Sequence, residues 1–184
     1  MLANELSAPV GDHGRSMHPD HLTLLRCTVA HLTSLIEGDE AFQSAFGLRV
    51  AEDFIEFPGA LDFAAAKLAG AEADAQWWAP FLFVHRADRA VVGIGGCKGP
   101  PDAAGVVEIG YSIAPAYRGR GLATEAARAL VEHAFTFAEV REVCAHTLPE
   151  PNASNRILTK AGFRFAGEVT HPEDGRIWRW ERTR

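Results

Sequence analysis

Apolar and polar residues alternate most regularly between Val106 and Ile113, where Val107, Ile109, Tyr111 and Ile113 fall on one side of an extended chain and Glu108, Gly110 and Ser112 on the other. That pattern predicts a strand with one oily and one polar face. Pro115 has no N–H for a ladder, so pairing should end near it. Beyond Arg118-Gly-Arg-Gly121 the period lengthens: Ala123, Ala127, Leu130, Ala134 and Phe137 recur at helical spacing, with Glu125, Arg128, Glu132 and Thr136 opposite. A strand, a glycine turn and a helix start therefore follow one another.

The rest of the chain reads in the same terms. Residues 1–20 mix Gly, Pro, His and Ser without period and predict a mobile tail ahead of one domain over 21–184. Leu22–Cys27 is a first strand, and Thr28 can cap a helix whose apolar set is Val29, Leu32, Leu35 and Ile36. A second helical piece, Ala41–Phe46, stops at Gly47. Between residues 51 and 75 the spacing of Phe54, Ile55, Phe57, Leu61, Ala65 and Leu68 is helical, with a break at Pro58-Gly59. Phe81–Arg86 is a continuous apolar run, typical of a strand covered on both faces. The next strand, Val91–Cys97, contains Gly93, Gly95 and Gly96, which mark a bulge or a close backbone approach, because Pro100-Pro101 follows where a dinucleotide loop needs a helix. It returns into the central strand as an antiparallel meander. Glu142–Leu148 is a further strand, Asn152 caps a helix with Ile157, Leu158 and Ala161 inward, and Gly162 ends it. Phe163–Val169 and Arg176–Glu181 form a last hairpin whose Trp178 and Trp180 share one face.

With 184 residues, 47% of them apolar, the chain suits one well-buried α/β domain. Cys27, Cys97 and Cys144 are isolated and odd in number, which indicates neither a disulfide framework nor a zinc site. No metal is expected. No apolar run reaches the ~20 residues of a membrane helix, no leader pattern opens the chain, and a net charge of -6 argues against a nucleic-acid partner. The expectation is a cytoplasmic protein without membrane contact. Against that acidic balance, Arg118 and Arg120 sit beside the start of a helix, where free N–H groups and partial positive charge attract phosphate. A phosphorylated ligand accounts for this, as does a glycine turn with two solvated arginines.

Arg118-Gly-Arg-Gly121-Leu-Ala123 resembles the Arg/Gln-x-x-Gly-x-Gly/Ala signature of the GNAT family of N-acetyltransferases, and Pro151-Asn-Ala-Ser-Asn-Arg-Ile-Leu-Thr-Lys-Ala-Gly-Phe163 resembles that family's second hallmark. The Glu-Ile-Gly-Tyr strand is similar to the ribosomal-protein alanine N-acetyltransferase subgroup. The resemblance runs from about Leu22 to the C-terminus. It implies an α/β (α+β) fold with a mixed, mostly antiparallel central sheet of six or seven strands flanked by helices and splayed between the fourth and fifth strands. It further implies acetyl-CoA as co-substrate and a primary amine, from a protein N-terminus or a small molecule, as acceptor. Arg118, Gly119, Arg120, Gly121, Leu122, Ala123 and Thr124 would wrap the pyrophosphate, while Ile113 and Asn155 would meet the pantetheine arm. Glu108 is the candidate base, or else a glutamate paired with a neighbouring arginine. The tyrosine that many members carry after the second motif is missing, since the stretch reads Ile157-Leu158-Thr159; Ser154 then stands as the acid for the thiolate, or as a cap or cofactor contact. That absence keeps a non-catalytic acyl-CoA-binding module open as the alternative. The family often dimerises, which leaves a homodimer possible.

Overall fold

The computed structural model describes residues 19–55, 59–70, 77, 79–172 and 175–184. The expected tail lies outside them as far as residue 18, as do Phe57, Pro58 and the 71–75 end of the third helical stretch. In chain order the elements are β1 (Leu22–Arg26), α1 (Val29–Glu37), α2 (Asp39–Phe46), β2 (Arg49–Val50), α3 (Ala60–Gly70), β3 (Phe81–His85), β4 (Ala90–Cys97) and β5 (Val106–Ile113). A single 3-10 turn at Pro115–Tyr117 then leads to α4 (Leu122–Ala134), β6 (Glu142–Thr147), α5 (Ala153–Lys160), β7 (Arg164–His171) and β8 (Gly175–Thr183). No described helix is long and apolar enough to cross a membrane.

The strands form one mixed sheet in the order β1-β3-β4-β5-β6-β8-β7, with β2 pairing β4 off that path. Neighbours are antiparallel except β5 with β6 and β2 with β4. The sheet has eight described strands where six or seven were expected. The extra one is β2, whose two residues are too few to show a period. The central strand is therefore β5, and the parting of the sheet lies between β5 and β6.

Strand phase sorts the core. Val107, Ile109 and Ile113 turn toward α4 and pack with Leu122, Ala126, Ala127 and Leu130. Full burial of an Ile or Leu side chain stabilises by about 1.5–3 kcal/mol. On the opposite side of the sheet Leu82, Val84 and Val91 meet Leu32, Leu35 and Phe42 of α1 and α2. Phe81 and Phe83 belong to the first cluster, so β3 is covered on both faces, as its unbroken apolar run predicts.

At α1, Thr28 accepts from the His31 amide at 3.2 Å while the His31 ring accepts from the Thr28 amide at 3.0 Å, a reciprocal cap with histidine where glutamate or glutamine is usual. The helix buries a narrower stripe than expected, because Val29 and Ile36 remain 44% and 45% exposed. Helix α4 stops at Ala134, and Phe137 packs instead from the following turn, with its ring centroid 4.4 Å from that of Trp77. The β4 glycines answer to close approach. A Cβ on Gly93 would lie 2.3 Å from the Ser112 carbonyl oxygen, and one on Gly95 would lie 2.6 Å from that of Gly110.

Candidate active site

Strands β5 and β6 pair only through Val106↔Glu142, Val107↔Val143 and Glu108↔Cys144. Beyond that point β5 keeps β4 as its partner as far as Ile113, and β6 keeps β8 as far as Thr147. Each half of the sheet follows its own twist, so a wedge opens between them. Because the two strands are parallel, both lead out at the wide end, the usual place for a ligand in a sheet with parallel neighbours. The chain after β5 becomes the glycine turn, and the chain after β6 becomes the start of α5. From Ile113 back to Glu108 the wedge is about 17 Å deep at roughly 3.3 Å per residue.

At the wide end Gly119 and Gly121 have φ of 75° and 83°, backbone that other residues adopt only with strain, and a Cβ at either would meet open space. Gly121 is the N-cap of α4 and supplies no side-chain cap. The amides of Leu122, Ala123 and Thr124 open the helix behind it. Leu122 can offer only its backbone, since its side chain is buried. Both arginines are exposed, and each also donates to a backbone carbonyl of the turn. Arg118 Nε donates to the Ile113 carbonyl at 2.9 Å, closing the turn onto the end of β5. Arg120 donates to the Ala116 carbonyl at 3.0 Å and lies 5.0 Å over the Tyr117 ring. Tyr117 in turn donates to Asp88 at 2.9 Å, and the same carboxylate oxygen lies 3.0 Å from His85. The Tyr117 hydrogen bond holds the Asp88 carboxyl below its ordinary range. This brace from the β3–β4 turn to the glycine turn has no signature in the sequence.

On the other wall, Asn152 accepts from the Asn155 amide at 3.1 Å and starts α5. The Asn155 side chain is buried; its Nδ2 donates to the Glu150 carbonyl at 3.0 Å, and its Oδ1 has no hydrogen-bond partner. A buried acceptor left unmade costs about 1–3 kcal/mol. Ser154 is half-buried in the same first turn.

Glu108 sits at the narrow end. Its Oε1 lies 2.6 Å from Lys98 Nζ and 3.0 Å from His146 Nδ1, and no arginine is among these partners. Burial alone would push the carboxyl up, but the bonds from His146 and Lys98 and the lysine charge outweigh it and hold Glu108 at about 2. His146 belongs to β6, so the pair spans the base of the wedge. Tyr111 projects from the opposite face of β5; its hydroxyl is buried without a partner, and burial pushes its pKa up. Lys98 escapes a reading of the sequence because its meeting with Glu108 depends on the β4–β5 register, seen in the Lys98 amide donating to the Glu108 carbonyl at 2.8 Å.

The polar face of β5 also borders a pocket of about 330 Å³ between α3 and the sheet. Gly95, Gly96 and Gly110 form its floor, Phe63, Ala64 and Ile94 its walls, and Lys67 and Lys98 its cations. That this face looks toward the segment before α3 follows from Ser112, whose hydroxyl donates to the Phe54 carbonyl at 3.0 Å.

Residues 21–164 match the family described as acetyltransferase (GNAT) domain. A Bacillus subtilis (strain 168) protein named "Probable N-acetyltransferase YjcK" is 39% identical over 59 residues, which are 32% of this chain and only 33% of that protein. A solved structure of AAC(6')-Ib with ribostamycin and coenzyme A is 25% identical, with 90% of this chain and 94% of that one covered at a TM-score of 0.62. The ribosomal-protein-S5-alanine acetyltransferase from Vibrio fischeri shares the fold at 12% identity, covering 92% and 96% at a TM-score of 0.64.

Proposed function

The chain belongs to the acetyltransferase (GNAT) family, and from that premise we propose that it moves an acetyl group from acetyl-CoA to a primary amine by direct attack within a ternary complex. The observation that carries this reading is the wedge between β5 and β6, with a glycine-opened helix at its wide end.

The residues fit the donor. The N–H groups of Leu122, Ala123 and Thr124, left accessible by Gly119 and Gly121, would hold the pyrophosphate, with Arg120 beside them. Asn155 Oδ1 would accept from a pantetheine amide. The Ile113 carbonyl accepts from Arg118 and keeps a second lone pair, so a pairing at Ile113 would use that carbonyl or its N–H. A donor laid along the wedge would carry its thioester toward Glu108.

In the transfer the amine nitrogen attacks the thioester carbon, the C–N bond forms, the C–S bond breaks, and the amine loses the proton that the departing thiolate needs in kind. A carboxylate held near 2 is ionised at neutral pH and is a weak proton acceptor. We therefore assign Glu108 a different task from that of a free base: it draws the acceptor's ammonium into place and orients His146, histidine being the commonest base in such steps. Ser154, in the first turn of α5, is the proposed proton donor to the thiolate.

Glu108→Gln tests this. Turnover with a competent acceptor should fall by about tenfold or more, as expected when one charged contact that places the acceptor and His146 is lost, while calorimetric affinity for acetyl-CoA stays at its native value. Unchanged turnover would remove Glu108 from the mechanism.

A further inference from the structure

The pocket beside β5 has an unusual balance of surfaces. Its volume of about 330 Å³ is at the small end of ligand pockets, which run to about 1,000 Å³. Ala60, Phe63 and Ala64 of α3 face the glycine floor, and Phe63 is left 60% exposed. Leu61, Ala64, Ala65 and Leu68 of α3 pack in part against the α1–α2 cluster, which leaves Phe63 as the uncovered apolar side chain on the pocket side of the helix. An apolar group of modest size would cover it. The floor is open because Gly96 and Gly110 stand opposite each other in the β4–β5 register.

Charge adds a second constraint. The described lining contains Lys67 and Lys98 and no acidic residue. Lys98 is engaged with Glu108 at 2.6 Å, and Glu108 is the anion an acceptor's ammonium would approach. An incoming ammonium competes with Lys98 for this carboxylate, whose Oε1 already holds Lys98 and His146. A polycation would do so only by crowding a displaced lysine, with Lys67 on the same pocket. An acceptor that carries an anion next to its amine exchanges one ion pair for two: its ammonium meets Glu108 and its anion meets Lys98.

We propose that the acceptor is a zwitterionic amine of amino-acid size with an apolar side group, seated between α3 and the Gly95-Gly96-Gly110 floor with its anion on Lys98. This rests on the acetyltransfer reading and narrows its acceptor. Lys98 is then a specificity-determining residue, and Phe63 is the wall for the apolar group.

The test uses the full chain with saturating acetyl-CoA and a thiol-release assay, comparing phenylalanine, phenylalaninamide and spermidine. Phenylalanine should exceed phenylalaninamide in kcat/KM by at least about tenfold, one charged contact's worth on the affinity scale, and spermidine should be the poorest. In Lys98→Met the ratio of the first two should collapse toward about one, and Phe63→Ala should raise KM for both aromatic amines. Ligand-observed NMR of the same amines without acetyl-CoA reads the pocket independently of transfer. Phenylalanine binding that is lost in Lys98→Met supports the pocket even where acetyl-CoA fails to bind, a failure that would fall on the acetyltransfer reading instead. A native preference for spermidine, a ratio unchanged in Lys98→Met, or no aromatic amine bound or turned over would each overturn the proposal.

Discussion

Replacing Gly121 separates backbone strain from charge at the proposed phosphate site. The residue has φ of 83° and a Cβ there would meet nothing within 4 Å, so alanine brings strain without a clash. A non-glycine residue in this region costs about 1–2 kcal/mol, which for a domain of this size lowers Tm by about 2–8 °C. Gly121→Ala keeps every amide of the α4 start and should hold acetyl-CoA affinity within about threefold. Gly121→Glu suffers the same strain and adds a negative charge. At about 6 Å from one phosphate charge, with an effective dielectric constant of about 20, the repulsion is roughly 3 kcal/mol, or about a hundredfold in Kd. Calorimetric titration with acetyl-CoA measures both variants, with thermal melts as a check on folding. The deficit of the glutamate variant should shrink as salt is raised, since the site is partly open to solvent. A folded Gly121→Glu that binds like the native protein would refute the phosphate site, and an alanine variant as weak as the glutamate one would show that backbone shape, not charge, sets the affinity.

Gly93→Ala forces a Cβ to 2.3 Å from the Ser112 carbonyl oxygen and should cost about 1–3 kcal/mol by overpacking. Gly110→Ala, whose nearest contact is Lys98 Cε at 3.4 Å, should leave stability within about 0.5 kcal/mol; equal melting temperatures for the two would contradict the packing argument. Stability should fall with acid in two adjoining windows that meet near pH 4. Burial, assisted by the Arg26 charge, pushes His133 down to about 4 from an ordinary 6.5, so the unfolded chain gains a proton first and stability is lost as pH drops from about 6.5 to about 4. Glu108 is depressed to about 2 from 4.5, so its contribution is complete above about 4.5 and is lost toward about 2. Urea unfolding across pH should show His133→Leu flattening the upper window and Glu108→Gln the lower, and unchanged slopes would count against both assignments.

Local pattern determined much of this protein. The alternation from Val107 to Ile113, the glycine turn and the apolar stripe of α4 are each set by neighbours a few residues apart, so the strand, the helix start and their order could be read from the chain. The cap at Asn152 and the close approach implied by the β4 glycines are of the same kind. Other features were beyond that reading. Val29 and Ile36 share the period of buried positions, yet they stay exposed because only tertiary packing decides how wide a stripe is covered. That Arg118 Nε also reaches the Ile113 carbonyl could not be read from the sequence, because it depends on how the turn folds back onto β5. Glu108 acquires Lys98 from across a hairpin and His146 from across a parallel pair, contacts that require the register of β4 on β5 and of β5 on β6. The pocket likewise exists only where α3 stands off from three glycines. Side chains near in sequence settle which elements form, while the protonation and partners of a buried group depend on strands brought beside it from elsewhere in the chain.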